Sequence, residues 1–298
     1  MPTDKQLNDR KNHIGASDMP AILGLNIYKS AYDVWLEKTQ KVDIKADTVE
    51  IKLGQSLESS VLDIAETELG KMERDPEKLE VTASGGINIV SHLDARLLEP
   101  GKPPVEAKTH AIFNRFSHEH WGDAGSDDVP DRIVIQCSTQ LLCTGSDICF
   151  IPALIGGRGY CLFTVHRDQD LINMIADAAL DFWNKNVIKD IPPENSLPSI
   201  QYIKKVIRKP KSVIDLTGNE EFVSKWLFTK ENLKIAENAA QDAEKKMLML
   251  LGENESATFN NGILTYYEIK NKGYTKEVKP FSYRTAKFKR KELPDGKK

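Results

Sequence analysis

The 298-residue chain has few cysteines, no long apolar run and no large excess of either charge. Its four cysteines, Cys137, Cys143, Cys149 and Cys161, lie in apolar segments and form no CxxC pair. The expected role for them is that of small buried hydrophobes. No stretch approaches the roughly 18 apolar residues that a membrane helix needs. The opening "MPTDKQLNDRKN" lacks the apolar core of a signal peptide, so the expected location is the cytoplasm, with no membrane partner. A formal net charge of -3 and a pI near 6.1 argue against a surface that coats nucleic acid over its whole extent. No internal repeat or low-complexity tract is visible.

What is present is charge segregation. Residues 270–298 carry 11 Lys or Arg against Glu277, Glu292 and Asp295, so this end is basic on an otherwise acidic body. Tyr274, Phe281, Tyr283 and Phe288 interleave with those charges, a composition suited to a polyanion as well as to a solvated end.

Hydrophobic periodicity predicts short helices at "GASDMPAILGL", capped by Ser17 or Asp18 and stopped by Gly24, and at "SAYDVWLEKTQ". A longer helix is predicted from about Thr48 to Leu69. Strand-like runs follow at "LEVTA", "GINIVSHLDA" and "PPVEAKT", then a helix in "DRIVIQCSTQLLCTG". Two buried strands, "DICFIPALI" and "GYCLFTVH", flank a glycine turn and lead into the helix "DQDLINMIADAALDFWNKNV". The expected fold class is α/β, a mixed sheet flanked by helices. After the Pro-rich "IPPENSLPS" the composition predicts a long helix over 217–251 and a hairpin turning at Asn261 and Gly262. The expected division is a core over 1–195 and an extension over 196–298.

The chemistry concentrates in "PPVEAKTH". In an extended chain Glu106 and Lys108 point to one face, while Val105 and Ala107 point to the other. An exposed ion pair on an edge strand is the plain alternative. Asp94 lies twelve residues earlier, at the end of the preceding strand-like run, and a hairpin would bring it beside Glu106. Two carboxylates and a backbone carbonyl suit a hard divalent cation such as Mg²⁺. A lysine beside it can serve the attacking water or offset charge on a phosphate oxygen. "HEHWGD" lacks the i, i+4 histidine spacing of HExxH, which argues against zinc at His118 and His120.

Asp94 followed by Glu106-Ala107-Lys108 resembles the PD-(D/E)XK nuclease signature. "GQSLESSV", with Glu58, resembles the G-x-x-x-E helix of its RecB-like and lambda-exonuclease-like branch, and "QCSTQLLCTG" resembles the glutamine helix of that branch. The chain is thus similar, over about residues 10–190, to the YqaJ or lambda-exonuclease family. The resemblance implies a restriction-endonuclease-like core and a metal-dependent exonuclease that digests one strand of linear double-stranded DNA, 5′ to 3′, leaving single-stranded tails. It implies catalytic roles for Asp94, Glu106, Lys108 and Gln136, and one or two Mg²⁺ or Mn²⁺ ions held by Asp94, Glu106, the Ala107 carbonyl and Glu58. It implies phosphate or DNA contacts from Arg10, Ser17, His92 and Gln140, with Gln136 favoured over Gln140 as the functional glutamine. The implied partners are duplex DNA ends, a single-strand annealing protein, and further copies of the chain in a trimer. Alternatives of other classes are an endonuclease of restriction or repair type and a noncatalytic DNA-binding recombination partner.

Overall fold

The computed structural model describes residues 12–42, 49–82, 87–110, 119–207, 213–260 and 262–266. Contacts divide the chain into two units, Met1–Arg208 and Lys209–Lys298. Arg10, His118 and the basic segment 270–298 lie outside the described residues.

The first unit is a mixed α/β core, as the sequence predicts. Its larger sheet is built from β2 (Met72–Arg74), β5 (Ala95–Leu97), β6 (Pro104–Val105), β7 (Lys108–His110), β8 (Ile148–Ile155) and β9 (Gly159–His166). β2, β5 and β6 run antiparallel in that order, β6 and β7 both lie parallel against β8, and β9 closes an antiparallel hairpin with β8. A smaller sheet joins β1 (Ile14–Gly15), β4 (Asn88–Ser91) and β3 (Leu79–Thr82).

Both faces of the larger sheet are covered, which is why β8 reads as an almost continuous apolar run. On one face α4 (Asp131–Thr144) packs Ile133, Cys137 and Leu141 against Cys149, Ile151, Ala153 and Phe163. On the other, α3 (Val49–Leu69) packs Leu62 and Ala65 against Met72, Ala95, Leu97 and Val105. α4 stops at Gly145, whose φ of 72° supplies the left-handed cap that a glycine adopts without steric cost. Around the smaller sheet gather α1 (Met19–Ile22), α2 (Ala31–Lys38) and α5 (Gln169–Phe182). α2 opens with a Ser30–Asp33 capping box, and α5 is capped by Asp168 and runs on into a π turn, Trp183–Val187. The segment after the Pro-rich connection, including α6 (Ile200–Lys205), is tied to the same unit: Ser199 N donates to Asp33 at 3.0 Å, and Tyr202 OH donates to Glu37 at 2.5 Å.

Two strands expected to be continuous are broken. "GINIVSHLDA" splits into β4, which serves the smaller sheet, and β5, which serves the larger. His92, Leu93 and Asp94 make the crossing, so His92 and Asp94 do not share a strand face. "PPVEAKT" splits into β6 and β7 at Glu106 and Ala107, although the register against β8 is unchanged across the break, Val105 opposite Phe150 and Lys108 opposite Ala153. Glu106 N donates to Phe150 O at 2.9 Å, but the next rung would require an N–H from Pro152, which has none.

In the second unit α7 (Glu220–Leu251) precedes the hairpin of β10 (Ser256–Phe259) and β11 (Gly262–Thr265). Gly262 pairs with Phe259, so it belongs to the ladder rather than to the turn. Among the described residues no helix is long and apolar enough to cross a membrane.

Candidate active site

Asp94 precedes β5, whose Ala95 pairs with Val105, so the hairpin carries the Asp94 and Glu106 carboxylates to the same end of the sheet. Asp94 Oδ2 accepts the Ala107 N–H at 2.9 Å, a rung supplied by a side chain where the backbone ladder is interrupted. Glu106 is 4% exposed. Lys108 Nζ donates to its Oε1 at 2.5 Å, which confirms the shared face expected from the i, i+2 spacing. Glu106 is buried and Lys108 mostly covered, so the reading as an exposed ion pair falls.

Two glutamines of α4, one helical turn apart, reach this carboxylate. Gln136 donates from Nε2 to Glu106 Oε1 at 2.6 Å and accepts from Lys108 Nζ at 3.1 Å, closing a triangle with the acid and the base. Gln140 donates to Glu106 Oε2, and its own Oε1 accepts from Cys149 Sγ at 3.5 Å. Gln140 is fully buried, and its partner is the Glu106 carboxylate. Cys137 and Cys149 are buried behind these groups, and burial raises the Cys149 thiol well above its usual value.

The electrostatics are those of acids in excess. Burial raises the Asp94 carboxyl well above the ordinary range, and the charges of Glu106 and Glu58 push it the same way, against Lys108 and the Ala107 N–H. Glu58, on α3, is raised by burial and then by Glu106 and Asp75. Burial works to lower Lys108, but Glu106 and Asp94 outweigh it and hold the ammonium form. These shifts place Glu58 and Asp75 in the field of the site. Sequence reasoning missed Asp75, whose N–H donates to Asp94 O at 2.9 Å from a left-handed φ of 45°. The signal for it was the Asp-Pro turn after β2.

A hard cation fits these donors in chemistry: they are carboxylate oxygens whose mutual repulsion one lysine leaves uncancelled. They do not form a finished cage. Among the described residues no three His, Cys, Asp or Glu side chains are grouped to hold a metal, and Glu106 has both oxygens engaged by Lys108 and the two glutamines. The Ala107 carbonyl, water and substrate oxygen would have to complete the shell.

Of the other residues expected to grip phosphate, Arg10 lies outside the described residues, and Ser17 and His92 are exposed. Ser17 is exposed in the turn after β1, and Ala16 N donates to Val90 O on β4 at 2.9 Å. Ser17 does not cap α1. Asp18 holds the capping position, yet its carboxylate accepts Gly15 N at 3.2 Å and pairs with Lys29 and Lys38 at 2.9 and 2.6 Å. His92 is exposed at the crossing between the sheets. His120 pairs with Asp128 at 3.0 Å on the surface. A second buried chain of charge was not anticipated: His110 Nδ1 lies 3.3 Å from Glu119, which Arg132 of α4 grips through two nitrogens.

Comparison with known proteins extends this picture. "Uncharacterized protein YqaJ" of Bacillus subtilis (strain 168) is 29% identical over 255 residues, covering 83% of this chain and 77% of that protein. Among solved structures, the alkaline exonuclease LHK-Exo from Laribacter hongkongensis matches at 16% identity and TM-score 0.45, over 63% of this chain and 94% of its own. A phage-related exonuclease from Haemophilus somnus 129PT matches at 11% identity and TM-score 0.42, over 62% and 99%. The sequence model of the YqaJ-like viral recombinase domain matches residues 5–147, a span that holds every candidate site residue from Arg10 to Gln140. Across that span the chain is similar to the YqaJ-like viral recombinase domain family.

Proposed function

We propose that the protein is a divalent-metal-dependent deoxyribonuclease that digests one strand of linear duplex DNA from its 5′ end, leaving a single-stranded tail for an annealing protein. The observation that carries this reading is the triangle of Glu106, Lys108 and Gln136, tied to Asp94 through the Ala107 N–H where two strands break. A Mg²⁺ or Mn²⁺ ion held by Asp94, Glu106 and the Ala107 carbonyl, with Glu58 as a further acid and a second ion where the shell allows, would supply Lewis acidity and a more acidic water.

The protein residues then have separable tasks. Lys108 commits two of its three hydrogens to Glu106 and Gln136, which leaves one for a water or a phosphate oxygen. Because its neighbours favour the ammonium, Lys108 orients that oxygen and offsets charge developing on phosphate. Gln136 fixes the lysine, and Gln140 fixes the far oxygen of Glu106. The resemblance to lambda exonuclease supports Arg10 and Ser17 as the grip on a terminal 5′-phosphate, and a ring of three chains around the duplex.

Incubation of end-labelled linear duplex with the full chain and Mg²⁺ tests the reaction and its direction together. The 5′-labelled nucleotide is released first, a 5′-phosphate end is digested faster than a 5′-hydroxyl end, and Arg10→Ala removes most of that difference. Cleavage of covalently closed duplex at the same rate would replace the exonuclease by an endonuclease.

A further inference from the structure

Helix α7 carries large apolar side chains along its length and buries almost none of them. Phe222, Leu233 and Leu250 are 65%, 59% and 89% exposed, and of its 32 residues only Leu251 is classed as buried. The stripe is ordered. Phe222, Trp226, Thr229, Leu233, Ala236, Ala240, Ala243, Met247 and Leu250 follow one another at alternating steps of four and three. A mean spacing of 3.5 residues sustained for four heptads is the requirement of a supercoiled helix pair, since a straight helix drifts about 20° per heptad away from it.

We propose that α7 pairs antiparallel with α7 of a second copy of this chain, about a two-fold axis at Ala236 and Ala240. In that register each a position meets a d position of the other copy. Trp226 faces Leu250, Thr229 faces Met247, Leu233 faces Ala243 and Ala236 faces Ala240, so large side chains oppose small ones and the alanines let the axes approach at the centre. Charge selects the same orientation. Antiparallel pairing sets Lys230 near Glu244 of the second copy, twice by symmetry, against one Glu237–Glu237 contact on the axis. A parallel pair in register would set Lys225 near Lys230 at both flanks and stack alanine layers on each other. A two-fold pair of identical helices is also the commonest closed assembly.

The mass of the full chain in solution, by light scattering, reads this contact whatever assembly the first unit makes. Leu233→Glu halves the mass of the wild type, and Met247→Glu, at the other end of the stripe, does the same. Both positions lie in the second unit, so folding of the first unit, read by its thermal transition, is unchanged. If both variants keep the wild-type mass, the pairing is wrong. Orientation is read by oxidative cross-linking of the full chain. Thr229→Cys combined with Met247→Cys gives a disulfide-linked dimer, and neither single variant does. Positions 229 and 247 are about 27 Å apart within one helix, so the bond cannot form inside a chain. Cross-linking by Thr229→Cys alone would mean parallel helices and would overturn the proposal, as would failure of the double variant to cross-link.

Discussion

Two of the buried clusters of ionisable groups in the first unit are built on opposite principles. Near α1, Asp18 and Glu37 face Lys29 and Lys38: Lys29 bridges both acids at 2.9 and 2.7 Å, Lys38 meets Asp18 at 2.6 Å, and Tyr202 completes Glu37. Two acids meet two bases. Burial works to lower Lys29, but Asp18 and Glu37 raise it well above its usual value. At the candidate active site Asp94, Glu106 and Glu58 face Lys108 alone, and the excess shows as carboxyls raised above their range. A balanced cluster is complete without a ligand and joins α1, α2 and α6. An unbalanced one leaves negative charge uncancelled, which suits the cation of the proposed function.

The largest expected effect breaks the two clusters apart by function. Lys108→Ala lowers cleavage of end-labelled duplex about a hundred- to a thousandfold, the scale of losing a positioned donor to transition-state charge. A variant that cleaves within tenfold of the wild type would remove Lys108 from the chemistry. Asp18→Ala acts on the fold instead. It removes the carboxylate that Lys29 and Lys38 share, leaving Lys29 with Glu37 alone, and destabilises the fold by about 3–5 kcal/mol in urea titration. A loss under about 1 kcal/mol would show that the clamp is not what joins those helices.

Mg²⁺ sharpens the contrast without any assay of cleavage. At a hundredfold excess over its dissociation constant it stabilises the wild type by about 2.7 kcal/mol, and Asp94→Asn cancels most of that gain. Equal stabilisation of both proteins would put the cation elsewhere. The smallest effect is on pH, in the presence of a chelator. Asp94 holds its proton more tightly when folded than a free aspartate does at 3.8, so the folded state binds more protons and stability falls as pH rises from there to the raised value. Asp94→Asn flattens that slope. Lys29, also raised, contributes fully throughout this range, because its contribution is lost only above 10.5.

How much of this could be read from the residues differs by kind of information. The period-two placement of Glu106 and Lys108, the helical stripe of α4 and the hairpin of β8 and β9 are local patterns, and they stand where spacing puts them. What escaped was set by partners distant in sequence. Nothing near Glu106 announces that its ladder is cut by Pro152, and nothing near Asn88–Ser91 announces that the next strand joins another sheet. Gln136 and Gln140 have the same side chain on neighbouring turns, and only the packing of Cys149 shows which one is sealed from solvent. Asp75 entered through a left-handed turn, not through a motif.

The parallel pairing of β6 and β7 with β8 also sets a schedule. Antiparallel β5 and β6 can fold as soon as they are made, but parallel neighbours need a crossover, here the whole of α4. Val105 waits for Phe150. At a synthesis rate of about 5–20 residues per second, that is a few seconds during which Asp94 and Glu106 exist as a hydrated hairpin without lysine geometry, glutamines or a covered face. A nascent chain released before β8 therefore carries both acids of the candidate site and none of its assembly.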